Sequence, residues 1–215
     1  RIEGPAVNLM QAEFLLSWSF SSGKEGFGEN ATYFQLEAAR LGDATVTLAA
    51  SGPSSAAPYV LEALLSALGQ AKRHIRITTP YFIPNAQLTS ALVIAAANGV
   101  QVELIIPARS DSFIVQHATF SFIKPLLERG VQVYLYTKGF IHSKTIHIDG
   151  CLAFVGTANM DTRSFYLNFE VMAVIHEPAF CADLEAAFAR DKSDSRAMSL
   201  EQGLARPAPY RAFDS

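Results

Sequence analysis

The sequence has no apolar run approaching the length of about 18 residues that a membrane-spanning helix needs. Cysteine is nearly absent: Cys151 and Cys181 stand in the apolar settings GCLAFVG and AFCADL, without the paired spacing of a zinc site. That excludes a secretory disulfide framework and predicts two buried, reduced thiols. Positive charge is also in short supply, with 17 Lys and Arg against 20 Asp and Glu for a net charge of -3. This argues against a generally basic nucleic-acid binder, although a local basic pocket fits within it. The opening RIEGPAVNLM has neither an initiator Met nor the charged-then-apolar order of a signal peptide, as expected of a piece of a longer chain. What is present is ample apolar material: of 215 residues, 50% are hydrophobic and 17% charged. That is enough for a packed core.

From Pro58 onward, helical and strand periodicities alternate. PYVLEALLSALGQAKR has apolar residues at helical spacing, and HIRITTPYF reads as a strand halted by Pro80 and Pro84. NAQLTSALVIAAANG predicts a helix closed by Gly99, VQVELIIP a buried strand, DSFIVQHATFSFIKPLLERG a helix and VQVYLY a strand. Strands separated by helices imply parallel pairing in a helix-covered sheet. After Lys138-Gly139 the rhythm changes: KTIHI and CLAFVG meet across Asp149-Gly150, a hairpin signal, so the sheet is expected to be mixed. NFEVMAVIHE adds a strand, and PAFCADLEAAFARD a closing helix with Pro178 in its first turn. Residues 1–50 fit this unit poorly. AVNLMQAEFLLSWSF is helix-like, SSGKEGFGEN a glycine-rich loop and SGPSSAAP a linker, which puts a boundary near Ser51. The catalytic unit is expected over 51–191, and the tail 192–215 is expected to be irregular.

The chemistry concentrates in GFIHSKTIHIDG. A strand there would set His142 and Lys144 two residues apart on one face, within reach of one anionic ligand. An imidazole can attack phosphorus and a neighbouring ammonium can hold the non-bridging oxygens, so no metal is needed in principle. Asp149 has the opposite parity and stands first in the Asp-Gly turn. Its carboxylate can cap the turn's backbone N–H groups, with direct contact to the catalytic residues as the alternative. In Gly156-Thr157-Ala158-Asn159, the glycine permits close backbone approach, and Thr157 and Asn159 can donate to a phosphate oxygen; the alternative is an ordinary turn. Glu170 lies among apolar neighbours and needs a partner if buried. His142 is a candidate, whose tautomer it would fix, while an edge-strand Glu facing solvent is the alternative. His147 has the wrong parity to join His142 in metal binding. His74, His117 and His176 have no Cys or carboxylate at ligand spacing, so no metal site and no cofactor are expected. His117, after ARSDS, could line a cleft, against an ordinary surface or core role.

Taken together, IHSKTIHIDGCLAFVGTANMD resembles the His-x-Lys-x4-Asp-x6-Gly-(Ser/Thr)-x-Asn signature of the phospholipase D superfamily, matched by His142, Lys144, Asp149, Gly156, Thr157 and Asn159. SGPSS, TPYFIP, the SDS after a strand, KGFIHSK and DTRSFYLNFEV extend the likeness to the C-terminal half of bacterial cardiolipin synthases, up to about residue 190. The resemblance implies an α/β fold, a sandwich of a central mixed sheet flanked by helices, forming one half of a pseudo-twofold enzyme whose site takes one motif from each half or subunit. Only one motif is present, so the missing N-terminal half or a second copy is expected as partner. The implied reaction is phosphatidyl transfer between two phosphatidylglycerols through a phosphohistidine, with glycerol released. The resemblance makes His142 one of two paired histidines and favours it as acid/base, with nucleophile as the alternative; it gives phosphate oxygens to Lys144 and Asn159, and orientation of the histidine to Glu170. It implies peripheral contact with the cytoplasmic face of a bacterial membrane. Thr157 replaces the commoner serine, and the tail lacks a basic apolar helix.

A lipid substrate predicts apolar residues at the pocket mouth, for which Tyr81, Phe82, Phe140 and Phe165 are candidates. A homodimeric single-motif nuclease would want a basic rim that the charge does not supply, and a fragment silent on its own is the third reading.

Overall fold

The computed structural model describes residues 1–23, 33–34 and 42–200, without the side chains of residues 113, 114 and 117. The His117 side chain, most of the expected glycine-rich loop, and residues 201–215 thus lie outside the described residues.

Helix α1 (Ala6–Ser22) opens the chain and strand β1 (Thr45–Ser51) follows. A turn then leads into α2 (Tyr59–Gln70), which buries Val60, Leu61, Leu64, Ala67 and Leu68, one stripe at helical spacing. In β2 (His74–Thr78), Ile75 and Ile77 alternate into the same core, and β3 (Phe82–Ile83) is a short extension beyond the first of the two prolines. Helix α3 (Ala86–Ala97) starts where the Asn85 side chain accepts from Leu88 N–H at 2.9 Å. It stops before Gly99, whose positive φ of 85 suits a glycine helix end. Then come β4 (Gln101–Pro107), α4 (Phe113–Leu127) and β5 (Gln132–Tyr136). The hairpin forms from β6 (Thr145–Ile148) and β7 (Leu152–Gly156), with Asp149 and Gly150 both at positive φ, 55 and 74. Two consecutive left-handed residues are what a tight hairpin turn matched to strand twist requires. Short β8 (Met160–Asp161) and α5 (Thr162–Tyr166) lead to β9 (Glu170–His176), α6 (Pro178–Ser193) and β10 (Ser195–Ala197).

The main sheet has the order β1-β9-β7-β6-β2-β4-β5-β10. Strands β2, β4 and β5 are parallel, as the helical crossovers dictate, and the remaining pairings are antiparallel. Helices α2, α3 and α4 pack on one face through Leu64, Leu88, Leu92, Ile123 and Leu126. Helix α6 covers the other, with Cys181 against Ala153 and Ile175, and Phe188 against Ile105 and Ile141. The expected helix-flanked mixed sheet is therefore what forms.

Both expected edges of the unit shift. Residues 45–50, expected to lie outside it, join Ser51 in β1, which pairs with β9 along its whole length, Thr45 opposite His176 and Ser51 opposite Glu170. The alternation in TVTLAAS is masked by small residues, and its partner lies far along the chain. At the other end, α6 runs to Ser193 and β10 pairs with β5, so 192–197 are not irregular. Of the cysteines, Cys181 is buried as expected, whereas Cys151 follows the Asp-Gly turn and is exposed. A hairpin tip projects beyond the apolar strands that flank it in sequence.

Candidate active site

One end of the sheet gathers the candidate residues. Thr78 at the end of β2 is level with Ile105 of β4 and with Thr145 at the start of β6, which in turn faces Val155 near the end of β7. Segments 79–84, 108–112, 140–144 and 157–161 therefore converge there, together with Glu170 at the start of β9. Carboxyl ends of parallel strands are where chains diverge and leave room for a ligand.

His142 and Lys144 do not lie in a strand: β6 begins at Thr145, and 140–144 is an approach to it without ladder pairing. Lys144 Nζ instead donates to the His142 carbonyl oxygen at 3.0 Å, which ties the two residues together locally. His142 is exposed. Its ring meets Phe140 at 5.6 Å and Tyr81 edge-on at 6.5 Å, and the Tyr81 hydroxyl donates to Asp111 Oδ2 at 2.6 Å. That bond, helped by burial, pushes the Tyr81 phenol up to about 12. Burial holds the Lys144 ammonium below its ordinary value, while the negative charges of Glu170 and Asp161 pull it back up.

Glu170 is 8% exposed, and the Asn168 amide donates to its Oε1 at 3.0 Å. Buried as expected, it is partnered by Asn168 and the charge of Lys144; its hydrogen bond does not go to His142. Asn159 is held by its backbone N–H on the Ser164 hydroxyl at 3.2 Å, and its side-chain Oδ1 is buried without a hydrogen-bond partner among the described residues. An amide kept this way has capacity for a ligand.

Thr157 does not point its hydroxyl at a free ligand site. Its Oγ1 accepts from Val171 N–H at 3.0 Å, and its own N–H donates to Val171 O at 3.0 Å, locking β7 to β9. The tightness behind Gly156 has the same origin: a Cβ there would collide with Val171 O. The close approach is to a neighbouring strand.

Asp149 lies at the far end of β6. Its carboxylate accepts from the backbone N–H groups of Lys72 at 2.7 Å, Arg73 at 2.8 Å and His74 at 2.9 Å. Burial alone would raise this carboxyl, but the three donors bring it below its ordinary value. It does cap backbone, as its parity suggests, yet the donors belong to the entrance of β2 and not to its own turn. Its contacts are with backbone at the end of β6 away from His142 and Lys144.

Of the aromatic candidates for the mouth, Phe82 and Phe165 are fully buried core, leaving Phe140 exposed and Tyr81 half-buried beside His142. Phe140 and Asp111 also border a cleft of about 730 Å³ lined by Arg109 and Arg196.

The profile described as "Cardiolipin synthase, PLD-like domain" matches residues 64–192. The chain belongs to this family. Over its full length it is 39% identical to cardiolipin synthase 1 of Staphylococcus aureus (strain COL) and to the major cardiolipin synthase ClsA of Bacillus subtilis (strain 168), covering 44% of each. It thus spans less than half the length of these relatives and matches their C-terminal half. The phospholipase D family member Nuc from Salmonella typhimurium superposes with a TM-score of 0.62 at 23% identity, over 73% of this chain and 99% of that one. Phosphatidylserine synthase from Haemophilus influenzae Rd KW20 gives a TM-score of 0.62 at 17% identity, over 75% of this chain and 42% of that one. These likenesses establish the phospholipase D fold.

For this cardiolipin synthase-family domain, sequence reasoning missed Asp111, Asn168 and Ser164. Each acts through a hydrogen bond to a residue on another segment, or to one a few positions away in an irregular stretch, and leaves no periodic trace. No carboxylate stands at ligand spacing from His74 in the sequence, yet in the fold Glu185 of α6 comes within 4.8 Å of ligating atoms of both His74 and His147. Local spacing cannot see a helix that folds back over the sheet.

Proposed function

We propose that this chain is one half of a phosphatidyltransferase that makes cardiolipin from two phosphatidylglycerols, completed by a second half bearing another histidine motif. The observation that carries the reading is His142 beside Lys144 at the sheet end where Asn159 Oδ1 is buried without a hydrogen-bond partner among the described residues. In the first step, the partner half's histidine attacks phosphorus, a P–N bond forms, and the bond to glycerol oxygen breaks as His142 supplies the proton. In the second, His142 takes the proton of the acceptor hydroxyl, whose oxygen displaces the histidine. Lys144 and Asn159 hold the non-bridging oxygens, and Glu170 keeps Lys144 charged. Thr157 supports the pocket by fixing β7 to β9, and these steps call on no metal or cofactor.

Two surfaces support a larger assembly on a membrane. Helix α1 exposes Phe14, Leu16, Trp18 and Phe20, where another half could pack, and Phe140 offers an apolar lip beside His142. Among the described residues no helix is long and apolar enough to cross a bilayer, which fits peripheral contact, proposed on the cytoplasmic face of a bacterial membrane.

The test is to incubate the chain with phosphatidylglycerol vesicles, alone and with the remaining half supplied, while measuring its mass by light scattering. Cardiolipin is expected only in the reconstituted mixture, with a loss on the order of 10³-fold or more in His142→Ala. Nucleic-acid cleavage by a dimer of this chain, without lipid transfer in either mixture, would overturn the reading.

A further inference from the structure

On the α6 face of the sheet, away from His142, two imidazoles sit side by side. His147 of β6 is the cross-strand neighbour of Arg76, and His74 lies two residues before Arg76 on the same face of β2. Their rings are 5.0 Å apart and tilted by 48°. His147 is 2% exposed, yet neither Nδ1 nor Nε2 has a hydrogen-bond partner among the described residues, and Nε2 of His74 is buried in the same condition. Buried polar atoms are nearly always satisfied, and three idle ring nitrogens at one spot call for a ligand. Glu185 reaches over from α6 and completes a set of three ligating atoms, all within 4.8 Å of one another.

We propose that His74, His147 and Glu185 bind a divalent transition-metal ion of the zinc type. Two imidazoles and one carboxylate, with a water in the fourth position, form a set that zinc accepts at ligand distances of about 2.0–2.2 Å, so a modest inward rotation of the side chains closes the site. The local charges balance before metal arrives: Arg76 pairs with Glu103 and Glu185, and Lys192 pairs with Glu103. Arg76 competes for Glu185, but it retains Glu103 at 2.9 Å when Glu185 turns to the ion. The Glu185 side chain is 44% exposed, which gives a hydrated ion access.

The ion would pin α6 to β2 and β6. It stands apart from the transfer chemistry, since His142 and Lys144 precede β6 at the opposite end of its pairing with β2.

The test uses the whole chain, stripped with EDTA and kept reduced, titrated with zinc chloride by calorimetry and with cobalt chloride by visible absorption. One zinc per chain is expected, with a rise in melting temperature. The cobalt complex should show visible d–d bands without the near-ultraviolet thiolate band that binding at exposed Cys151 would give. Glu185→Gln, a change at an accessible side chain, should weaken zinc at least tenfold, and His74→Ala should abolish one-to-one binding, whereas Cys151→Ser should bind normally. Absence of uptake, uptake unchanged in Glu185→Gln and His74→Ala, or uptake lost in Cys151→Ser would each overturn the proposal.

Discussion

Tyr81 donates its phenolic proton to Asp111 at 2.6 Å, and this bond fixes the aromatic wall against which the His142 ring stands edge-on. The neutral phenol is favoured in the folded chain, with its titration moved up to about 12 from the ordinary 10.0. The stability this contributes is complete below pH 10.0 and is lost as the pH rises from there towards about 12. An alkaline titration followed by tyrosinate absorbance should show one late-titrating group that disappears in Tyr81→Phe and returns towards the ordinary value in Asp111→Asn. A late group that persists in Tyr81→Phe would contradict the assignment.

The Lys144 ammonium is held low by burial and supported by Glu170 and Asp161. Transfer that needs this ammonium should fall on the alkaline side at a pH below the ordinary lysine value of 10.5. Removing a supporting negative charge should move that limb lower still, so the pH–rate profile of the reconstituted enzyme is expected to narrow in Glu170→Gln. An unmoved alkaline limb would separate Glu170 from Lys144.

Asp149 satisfies three backbone N–H groups at the entrance of β2. Two of these bonds are exposed, so water can replace part of what Asp149→Ala removes. The expected loss in urea unfolding is about 1–3 kcal/mol. Asp149→Asn keeps one acceptor and a side chain that tolerates the left-handed backbone of this turn position, and should lose less. In reconstituted enzyme at low temperature, the folded fraction of Asp149→Ala should retain its turnover, the outcome that distinguishes a fold-holding carboxylate from a reacting one.

Gly156 faces the backbone of β9 so closely that a methyl would collide with Val171 O and meet Met172 Cα at 2.8 Å. Neither obstacle is a flexible side-chain end, so Gly156→Ala must part β7 from β9 and disturb Thr157 with them. We expect poor soluble yield and loss of the cooperative thermal transition; a normally folded Gly156→Ala protein would refute the contact.

The helices and parallel strands were legible because their signals are local: the stripe from Val60 to Leu68 and the stop at Gly99 each act within a few turns of one helix. The hairpin was equally clear from Asp149-Gly150. Strand β1 was not, since TVTLAAS becomes a strand through pairing with β9 and has little pattern of its own. In the candidate site, His142, Lys144 and Asn159 were singled out by spacing alone, and the fold brings their segments to one end of the sheet. The roles of Thr157, Asp149 and Glu170 did not, because each is decided by a partner that spacing does not reveal: Val171 N–H, the 72–74 backbone, and the charge of Lys144.

Strand β10 has a practical consequence for anyone shortening this chain. The family profile ends at residue 192, one residue before α6 does, and a protein cut there would have no Ser195–Ala197 to pair with β5. The outer side of β5 would then offer unpaired N–H and C=O groups to any passing strand, the usual template for edge-to-edge aggregation. The three residues of β10 thus keep that side of β5 covered.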